Sequence, residues 1–309
     1  MATNERSDRV SQQNVREDQI LEAITSTSSS HAGVLVGPGD DAAVLPPVVS
    51  PLVVSVDQCI EHLHFLPETP LADVGVKAVR RAAGDLAAMA ASPVGLVATA
   101  FLPASMMHSD ALLLYESIQQ EAQRLDCPLV GGDTCIQRRE SASGIHLTVT
   151  VFGSAARPVL RSGAKVGDKI FVTGPLGGSL VSGRHLSPPV RIPEALQLRS
   201  CLGDDLHAMI DISDGLGKDA MAIASSSHVR FVLESELIPC HPGSNWESAL
   251  QDGEDHELLF TMAPGVDCSR LPLEVIQIGR VTEGTPAVLV VDPEGLHIDG
   301  SDLDWNHGA

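Results

Sequence analysis

The chain has 309 residues, of which 43% are hydrophobic and 19% are charged. This is the composition of a globular protein, and the length is enough for two domains of about 150 residues each. The formal net charge of −20 opposes binding to a nucleic-acid backbone, so we expect no nucleic-acid partner. A nucleotide can still bind if metal ions stand between its phosphates and the carboxylates of the protein.

The sequence carries no pattern typical of secretion or of membrane insertion. The polar N-terminal segment MATNERSDRV lacks the apolar region of a signal peptide, and no apolar run is long enough to span a bilayer. The six cysteines form no CxxC pair and no zinc-like spacing with histidine, which is typical of small apolar residues in a reducing compartment. These features predict a cytoplasmic protein without membrane contact.

Hydrophobic patterning predicts two α/β halves. The predicted helices cover residues 17–24, 71–91, 111–125 and 216–224. The predicted strands cover residues 52–56, 94–101, 146–152, 170–173, 229–233, 257–262, 275–278 and 287–291. A segment rich in Pro, Gly and cations at 155–168 separates the halves, so we predict domains at residues 1–155 and 156–309.

Seven aspartates stand beside glycine or at the ends of predicted strands. They are Asp40, Asp41, Asp57, Asp85, Asp133, Asp211 and Asp214. Strand ends are where α/β proteins bind ligands, and Mg²⁺ binds through carboxylates together with substrate phosphates. The set therefore favours a metal–phosphate site. Each Gly-Asp pair alone is also a common turn, and Asp214 is equally suited to cap the helix at 216–224.

Asp85 is the acid that is hardest to explain as part of a turn. It shares one face of the predicted helix with Ala78, Ala82 and Met89. An acid in an apolar stripe is costly to bury unless it is paired or bound to metal. Either Asp85 serves a metal site, or the helix ends before it.

Other nucleotide and hydrolase motifs do not fit the sequence. The segment DGLGKDA contains Gly217-Lys218 but has Asp219 where a P-loop requires Ser or Thr. The chain also has no kinase-type HRD and DFG set and no GxSxG elbow. An ATP-using enzyme with this sequence would therefore depend on acids and metal ions.

Eight motifs resemble, in order and spacing, those of the thiamine-monophosphate kinase family. They are GDDAAVL, SVDQCIEHLHF, KAVRRAAGDLAAMAASP, LVGGDT, RSGAKVGDKIFVTGPLG, RHLSPPVR, IDISDGL and DGEDHELLF. The GDD and DxSDG acids are shared with the wider aminoimidazole ribonucleotide synthetase-like superfamily, whereas EHLHF, LAAMAASP and GEDHELLF point to the thiamine-phosphate branch. The resemblance implies a two-domain α/β (α+β) fold in which the N-terminal halves of two chains pair into a dimeric β-barrel.

The resemblance also implies roles for individual residues. The implied metal ligands are Asp41, Ser55, Asp57, Asp85, Asp133, Asp211 and Asp214. The implied ATP contacts are Gly132, Asp133, Arg161, Ser213 and Tyr115, of which Arg161 also fits a solvated linker cation and Tyr115 a core residue. The implied contacts to thiamine phosphate are His64, Glu254 and Trp305, of which His64 also fits a plain loop histidine.

Several positions depart from the pattern of that family. They are Val56, His62, Ala83, Gly84, Asp252, His256 and Gly308. Gly84 stands where the family has Ser before the helical acid, and His256 stands where it has Tyr. Gly308 replaces a C-terminal Phe, so Trp305 is expected to pack on the thiamine ring. The departures spare most of the acids and bear on the acceptor more than on ATP.

The implied reaction is transfer of the γ-phosphoryl group of ATP, with Mg²⁺, to thiamine monophosphate, giving thiamine diphosphate and ADP. A phosphate monoester has a second pKa of about 6, so the attacking oxygen is largely ionised at neutral pH and no general base is expected. Two alternatives remain open at this point. One is another ATP-using enzyme of the superfamily that acts on an amide or carbamoyl group, and the other is a degenerate nucleotide-binding scaffold.

Overall fold

The computed structural model describes residues 33–38, 41–137, 144–268, 271–295 and 297–299. The predicted helix at 17–24 and the residues Asp40, Trp305 and Gly308 lie outside these ranges. The described helices are α1 Leu71–Ala88, α2 His108–Arg124, α3 Ser179–Ser182, α4 Ile192–Leu202, α5 Leu216–Ser227 and α6 Trp246–Gln251. The described strands are β1 Leu52–Ile60, β2 Ser92–Leu102, β3 Leu129–Ile136, β4 His146–Ser154, β5 Lys169–Val172, β6 Leu206–Asp211, β7 Arg230–Glu234, β8 Leu258–Met262, β9 Ile276–Thr282, β10 Ala287–Val291 and β11 His297–Asp299.

The strands form two mixed sheets that divide along the chain. The first sheet has the order β1-β4-β2-β3, with β2 and β3 parallel and the other pairs antiparallel. The second has the order β11-β10-β7-β9-β5-β8-β6, with β7 and β10 parallel and the other pairs antiparallel. The break between the sheets falls after Ser154 and before Lys169, which agrees with the composition change at 155–168.

Helix α1 lies at the centre of the molecule and joins the two sheets. It packs against β1, β4 and α2 on one side and against α4 and β6 on the other. Its sequence LADVGVKAVRRAAGDLAA is rich in Ala, Leu, Lys and Arg, which are good helix formers, and its small side chains let neighbouring elements approach closely. Leu86 is fully buried, and burial of such a side chain contributes about 1.5–3 kcal/mol. Every functional group on α1 is therefore held by packing from several elements.

Some elements near the acids differ from the prediction. Asp57 was expected at the end of a strand and Asp133 beside glycine, but β1 continues to Ile60 and β3 spans Leu129–Ile136, so both acids lie inside paired strands. Helix α4 and strand β6 were not predicted. Their short apolar stretches fit a helix and a strand equally well from periodicity alone.

The remaining sequence-level expectations concern thiols and membrane contact. All six cysteines lie among the described residues, and all six are free thiols. In the described part of the chain, no helix has the length and apolar character required to cross a bilayer.

Candidate active site

The first acids of the candidate site lie where β1 passes α1. Ser55 Oγ donates a hydrogen bond to Asp85 Oδ2, and Asp57 follows on the same face of β1. Burial raises the pKa of Asp85 to about 6, the negative charges of Asp211 and Asp57 add to the shift, and the hydrogen bond from Ser55 opposes it. Helix α1 continues to Ala88, so Asp85 lies within the helix. The alternative in which the helix ends before Asp85 is therefore wrong.

The next residues come from two segments whose backbones pair with each other. One segment follows β6 and the other precedes β8. Glu254 N donates to Ser213 O at 2.7 Å, and His256 N donates to Ile212 O at 2.7 Å. Glu254 and His256 both have left-handed φ angles, +69° and +52°, which non-glycine residues adopt rarely. The pairing brings the motifs IDISDGL and DGEDHELLF side by side.

His256 lies between two of the acids. Its Nδ1 is 3.3 Å from Asp211 Oδ2, and its Nε2 is 3.7 Å from Glu254 Oε2. Burial alone would lower the pKa of His256, but the hydrogen bond to Asp211 and the charges of Asp211 and Glu254 outweigh burial and raise it. One acid on each side of the ring therefore favours the protonated imidazole.

Glu254 is held by two cations of α1. Lys77 Nζ lies 2.9 Å from Glu254 Oε2, and Arg81 Nη1 donates to Glu254 Oε1. Burial opposes ionisation, but the charges of Arg81, Lys77 and His256 keep the pKa of Glu254 well below its usual range. Arg81 Nη2 also lies 3.5 Å from Asp57 Oδ1, so this guanidinium links both halves of the site.

Lys77 and Arg81 belong to the candidate site through their ion pairs with Glu254, although the sequence motif alone assigned them no role. Both lie in the motif KAVRRAAGD, one helical turn apart, and Arg81 lies one turn before Asp85. Lys77 is fully buried, and burial lowers the pKa of its ammonium while Glu254 opposes that change. The signal was a line of four charged residues, Asp73, Lys77, Arg81 and Asp85, spaced four positions apart along an Ala-rich helix.

Asp214 lies in the turn between β6 and α5. The N-cap of α5 is Gly215, with φ of +100°, and no side chain caps this end, so the expectation that Asp214 caps the helix was wrong. Asp214 Oδ2 instead lies 2.8 Å from Lys218 Nζ. The turn is held by Asp219, whose Oδ2 accepts from Asp214 N at 3.0 Å and whose pKa is raised by burial to about 8.

A cleft of about 500 Å³ opens beside Asp85. Ser55, Asp85 and Arg161 contribute to its lining. The Arg161 side chain is exposed, its charge lowers the pKa of Asp85, and its carbonyl accepts from Ser227 Oγ at 2.9 Å. Arg161 is a linker residue, as one interpretation held, but the linker places it at the mouth of a cleft that contains a candidate metal ligand.

Gly132 and Asp133 lie away from this group within one chain. The register runs across the sheet from Asp57 through Val149 and Ala98 to Gly132. Three strand spacings separate the two ends, which is about 14 Å. Asp133 is opposite Thr99, one position further along the strand than Gly132. Because successive side chains of a strand point to opposite faces, Asp133 lies on the opposite face of the sheet from Asp57. The structure does not bring Asp133 to Asp85 in a single chain.

The other predicted residues have structural roles of their own. Tyr115 is buried, and its hydroxyl forms a hydrogen bond with Thr134 Oγ1, as expected for a core residue. His64 is also buried, and its Nδ1 accepts from Ile60 N at 3.0 Å in the turn after β1. Asp41 is exposed in the turn closed by the bridge between Val36 and Val44.

The donor chemistry of the group fits a divalent cation bound together with phosphate. Asp57, Asp85 and Asp211 act on one another closely enough to raise the pKa of Asp85, so added positive charge would be stabilised there. In the described residues no three carboxylate, imidazole or thiol side chains form a complete metal site by themselves. A cation held by fewer than three of these acids would fill the rest of its shell with water and substrate phosphates, as Mg²⁺ commonly does.

Comparison with known proteins agrees with the motifs. A family model for "AIR synthase related protein, N-terminal domain" matches residues 39–155. The thiamine-monophosphate kinase of Rhodopirellula baltica is 34% identical over 275 residues, which cover 82% of this chain and 85% of that protein.

Two solved structures have the same fold over most of their length. The thiamine-monophosphate kinase of Stenotrophomonas maltophilia has a TM-score of 0.72 and 28% identity, covering 88% of this chain and 94% of that one. AaThiL complexed with AMPPCP and TMP has a TM-score of 0.71 and 28% identity, covering 91% and 93%. With the motifs, the fold and the sequence identity in agreement, the chain belongs to the thiamine-monophosphate kinase family.

Proposed function

We propose that this chain transfers the γ-phosphoryl group of ATP to thiamine monophosphate and forms thiamine diphosphate and ADP. Its relatives carry the name of this kinase, and AaThiL was solved with AMPPCP and TMP bound. The observation that carries the proposal is Asp85, a half-buried helical acid beside the like charges of Asp211 and Asp57. Such a site is suited to a cation that stands between acids and phosphates.

Mg²⁺ is the proposed ion, and Asp57, Asp85, Asp211 and Asp214 are the residues that would hold it. Ser55 would orient Asp85 through the hydrogen bond from its hydroxyl. When bound, Mg²⁺ screens the repulsion between the two phosphate-bearing substrates and neutralises charge on the transferred group.

The protein groups around the acids would position the two substrates. Arg161, at the mouth of the cleft, is placed to pair with a phosphate of ATP. Glu254 is proposed to lie beside the acceptor, fixed in place by Lys77 and Arg81. An ionised phosphate oxygen of thiamine monophosphate forms the new bond to the γ-phosphorus as the bond to the β–γ bridging oxygen of ATP breaks. ADP leaves with that electron pair, and no protein residue accepts a proton.

The proposed assembly is a homodimer in which the first sheets of two chains close into a β-barrel. Strand β1 is an edge strand, and its outer face exposes Leu52, Val54 and Val56 by 52%, 54% and 60%. Exposed apolar side chains in a row on an edge strand favour pairing with another chain. Asp133 lies on this same outer face, so a partner seated there would bring new groups beside it.

Domain limits and location complete the proposal. We place the N-terminal ATP-binding and dimerisation domain at residues 1–155 and the C-terminal domain at 156–309, because no described strand pairing crosses between the two sheets. The proposed location is the cytoplasm, which is consistent with six free thiols.

A product assay tests the function directly. Purified protein is mixed with ATP, Mg²⁺ and thiamine monophosphate, and thiamine diphosphate is followed by chromatography. Asp214→Asn is expected to abolish product, whereas Asp204→Asn, at an exposed acid paired with Arg157, is expected to preserve it. ATP binding without thiamine diphosphate would favour an amide or carbamoyl acceptor, and failure to bind ATP would favour a degenerate scaffold.

A further inference from the structure

His256 and Gly84 meet at Asp211, on the side of the acid group that faces α1. A Cβ atom added at Gly84 would lie 3.2 Å from Asp211 Oδ2 and 3.5 Å from His256 Nδ1. The contact between the imidazole and the carboxylate is therefore packed directly against the backbone of α1. Both Gly84 and His256 are positions at which this chain departs from the pattern of its family, and the structure shows that the two departures touch the same carboxylate.

The hydrogen-bond geometry defines what His256 does at this point. A carboxylate oxygen can only accept, so the 3.3 Å contact requires His256 Nδ1 to carry a hydrogen and donate it to Asp211 Oδ2. The other nitrogen faces Glu254 Oε2 at 3.7 Å, and the ring is almost completely buried. The ring thus has one hydrogen bond, through Nδ1, and an acid facing its other nitrogen. The hydrogen bond engages Oδ2 of Asp211.

We propose that His256 is a positioning residue that fixes the Asp211 carboxylate for the Mg²⁺–nucleotide complex, and that Gly84 provides the space this arrangement requires. The inference rests on the proposed function, because it takes Asp211 as a metal ligand. Groups that orient a metal ligand from behind typically change metal affinity by about 10–100-fold when they are removed. The role is one of orientation, since the His256 ring is almost completely buried and contacts the Asp211 carboxylate.

Substitutions at His256 distinguish its Nδ1 hydrogen bond from its bulk. Asparagine places an amide nitrogen close to the position of Nδ1 and preserves the donor to Asp211. Leucine fills similar space without a donor. We expect His256→Leu to raise the Mg²⁺ concentration that half-saturates AMPPCP binding by about 10-fold or more, and His256→Asn to change it by less than about 3-fold. Calorimetric titration of the full chain with Mg²⁺ and AMPPCP measures this value without requiring turnover.

Gly84→Ala perturbs the same contact from the opposite side. The new methyl group presses on Asp211 Oδ2, so we expect a shift in the half-saturating Mg²⁺ concentration in the same direction as for His256→Leu. The matched control is His207→Asn. His207 is another little-exposed histidine, with Nδ1 2.8 Å from Asp168 Oδ2, in a pair outside the acid group. This control is expected to leave the half-saturating Mg²⁺ concentration unchanged.

The outcomes separate this inference from the proposed function. If wild-type protein binds AMPPCP with no response to Mg²⁺, the proposed metal site fails and the inference fails with it. If wild-type binding depends on Mg²⁺ but His256→Leu has the wild-type half-saturation, the inference alone is overturned. Equal shifts in His256→Asn and His256→Leu, or a comparable shift in the His207 control, would also overturn it, because those results indicate a general loss of packing.

Discussion

Replacing Gly132 by alanine tests whether strand packing requires glycine at this position. This requirement is separate from the proposed contact of Gly132 with the nucleotide. Gly132 lies opposite Ala98 in the parallel pairing of β2 and β3. A Cβ atom added at Gly132 would lie 2.0 Å from the Ala98 carbonyl oxygen and 3.1 Å from its carbon. The obstacle is backbone, which cannot move aside by a rotamer change.

The expected cost follows from the size of this overlap. Since real Cβ atoms essentially never approach another heavy atom below 3.0 Å, β3 must move by at least about 1 Å at this position. Overpacking of this kind costs about 1–3 kcal/mol. We expect Gly132→Ala to cost about 3 kcal/mol, near the top of this range, because β2 is held by pairing with β4 on its other side.

Gly131→Ala is the matched control. A Cβ atom at Gly131 would have its nearest neighbour, Val97 Cγ1, at 3.7 Å, which is an ordinary contact. In urea unfolding followed by circular dichroism, Gly132→Ala should lower the midpoint by about 1 M, whereas Gly131→Ala should change it by a few tenths. Equal midpoints for the two variants would show that the close approach between β2 and β3 does not restrict this position.

Three further predictions concern buried ionisable groups. Lys77→Met should lower the free energy of unfolding by about 3 kcal/mol or more, because its partner Glu254 stays buried. Arg157→Met, which breaks the exposed pair with Asp204, should lower it by less than about 1 kcal/mol in the same urea series. Burial raises the pKa of Asp219 to about 8, so the native state retains a proton that the unfolded chain releases near pH 4. The stability of the ligand-free protein should therefore fall as the pH rises from 4 to 8. Asp219→Asn should make this fall smaller when the melting temperature is measured across the same pH range. Burial raises the pKa of Cys127 to about 12, so a thiol reagent should modify the exposed Cys201 in the native protein and Cys127 only after unfolding, which peptide mapping can check.

The acids of the site were predictable because they carry a local signal. Asp85 interrupts an apolar stripe at helical spacing, Asp211 ends strand β6, and Asp214 lies in the Gly-containing turn between β6 and α5. These features depend on neighbours within a few positions along the chain, which is the range that periodicity and turn chemistry cover. The local signal therefore predicts the acids themselves, and the structure places Asp85 and Asp211 close enough to act on each other.

The partners of those acids were not predictable in the same way. Arg81 and Glu254 are 173 positions apart, and their contact exists only because α1 packs against the segment before β8. The position of Asp133 depended on the strand register, in which a difference of one residue places a side chain on the opposite face of a sheet. Neither the long-range ion pair nor the register leaves a mark in the local sequence.

The order of charges through the site explains why added positive charge is expected at Asp85. From Asp57 the groups alternate in sign through Arg81, Glu254 and His256 to Asp211, so each acid in this series has a cation in contact. Asp85 follows Asp211 in space and breaks the alternation, because its hydrogen-bond partner Ser55 is neutral and two acids act on it. The positive charge of Arg161 lowers the pKa of Asp85 only weakly, because the Arg161 side chain is exposed to solvent. An ion at this position would continue the alternating series, and a phosphate group would be the next negative charge in it.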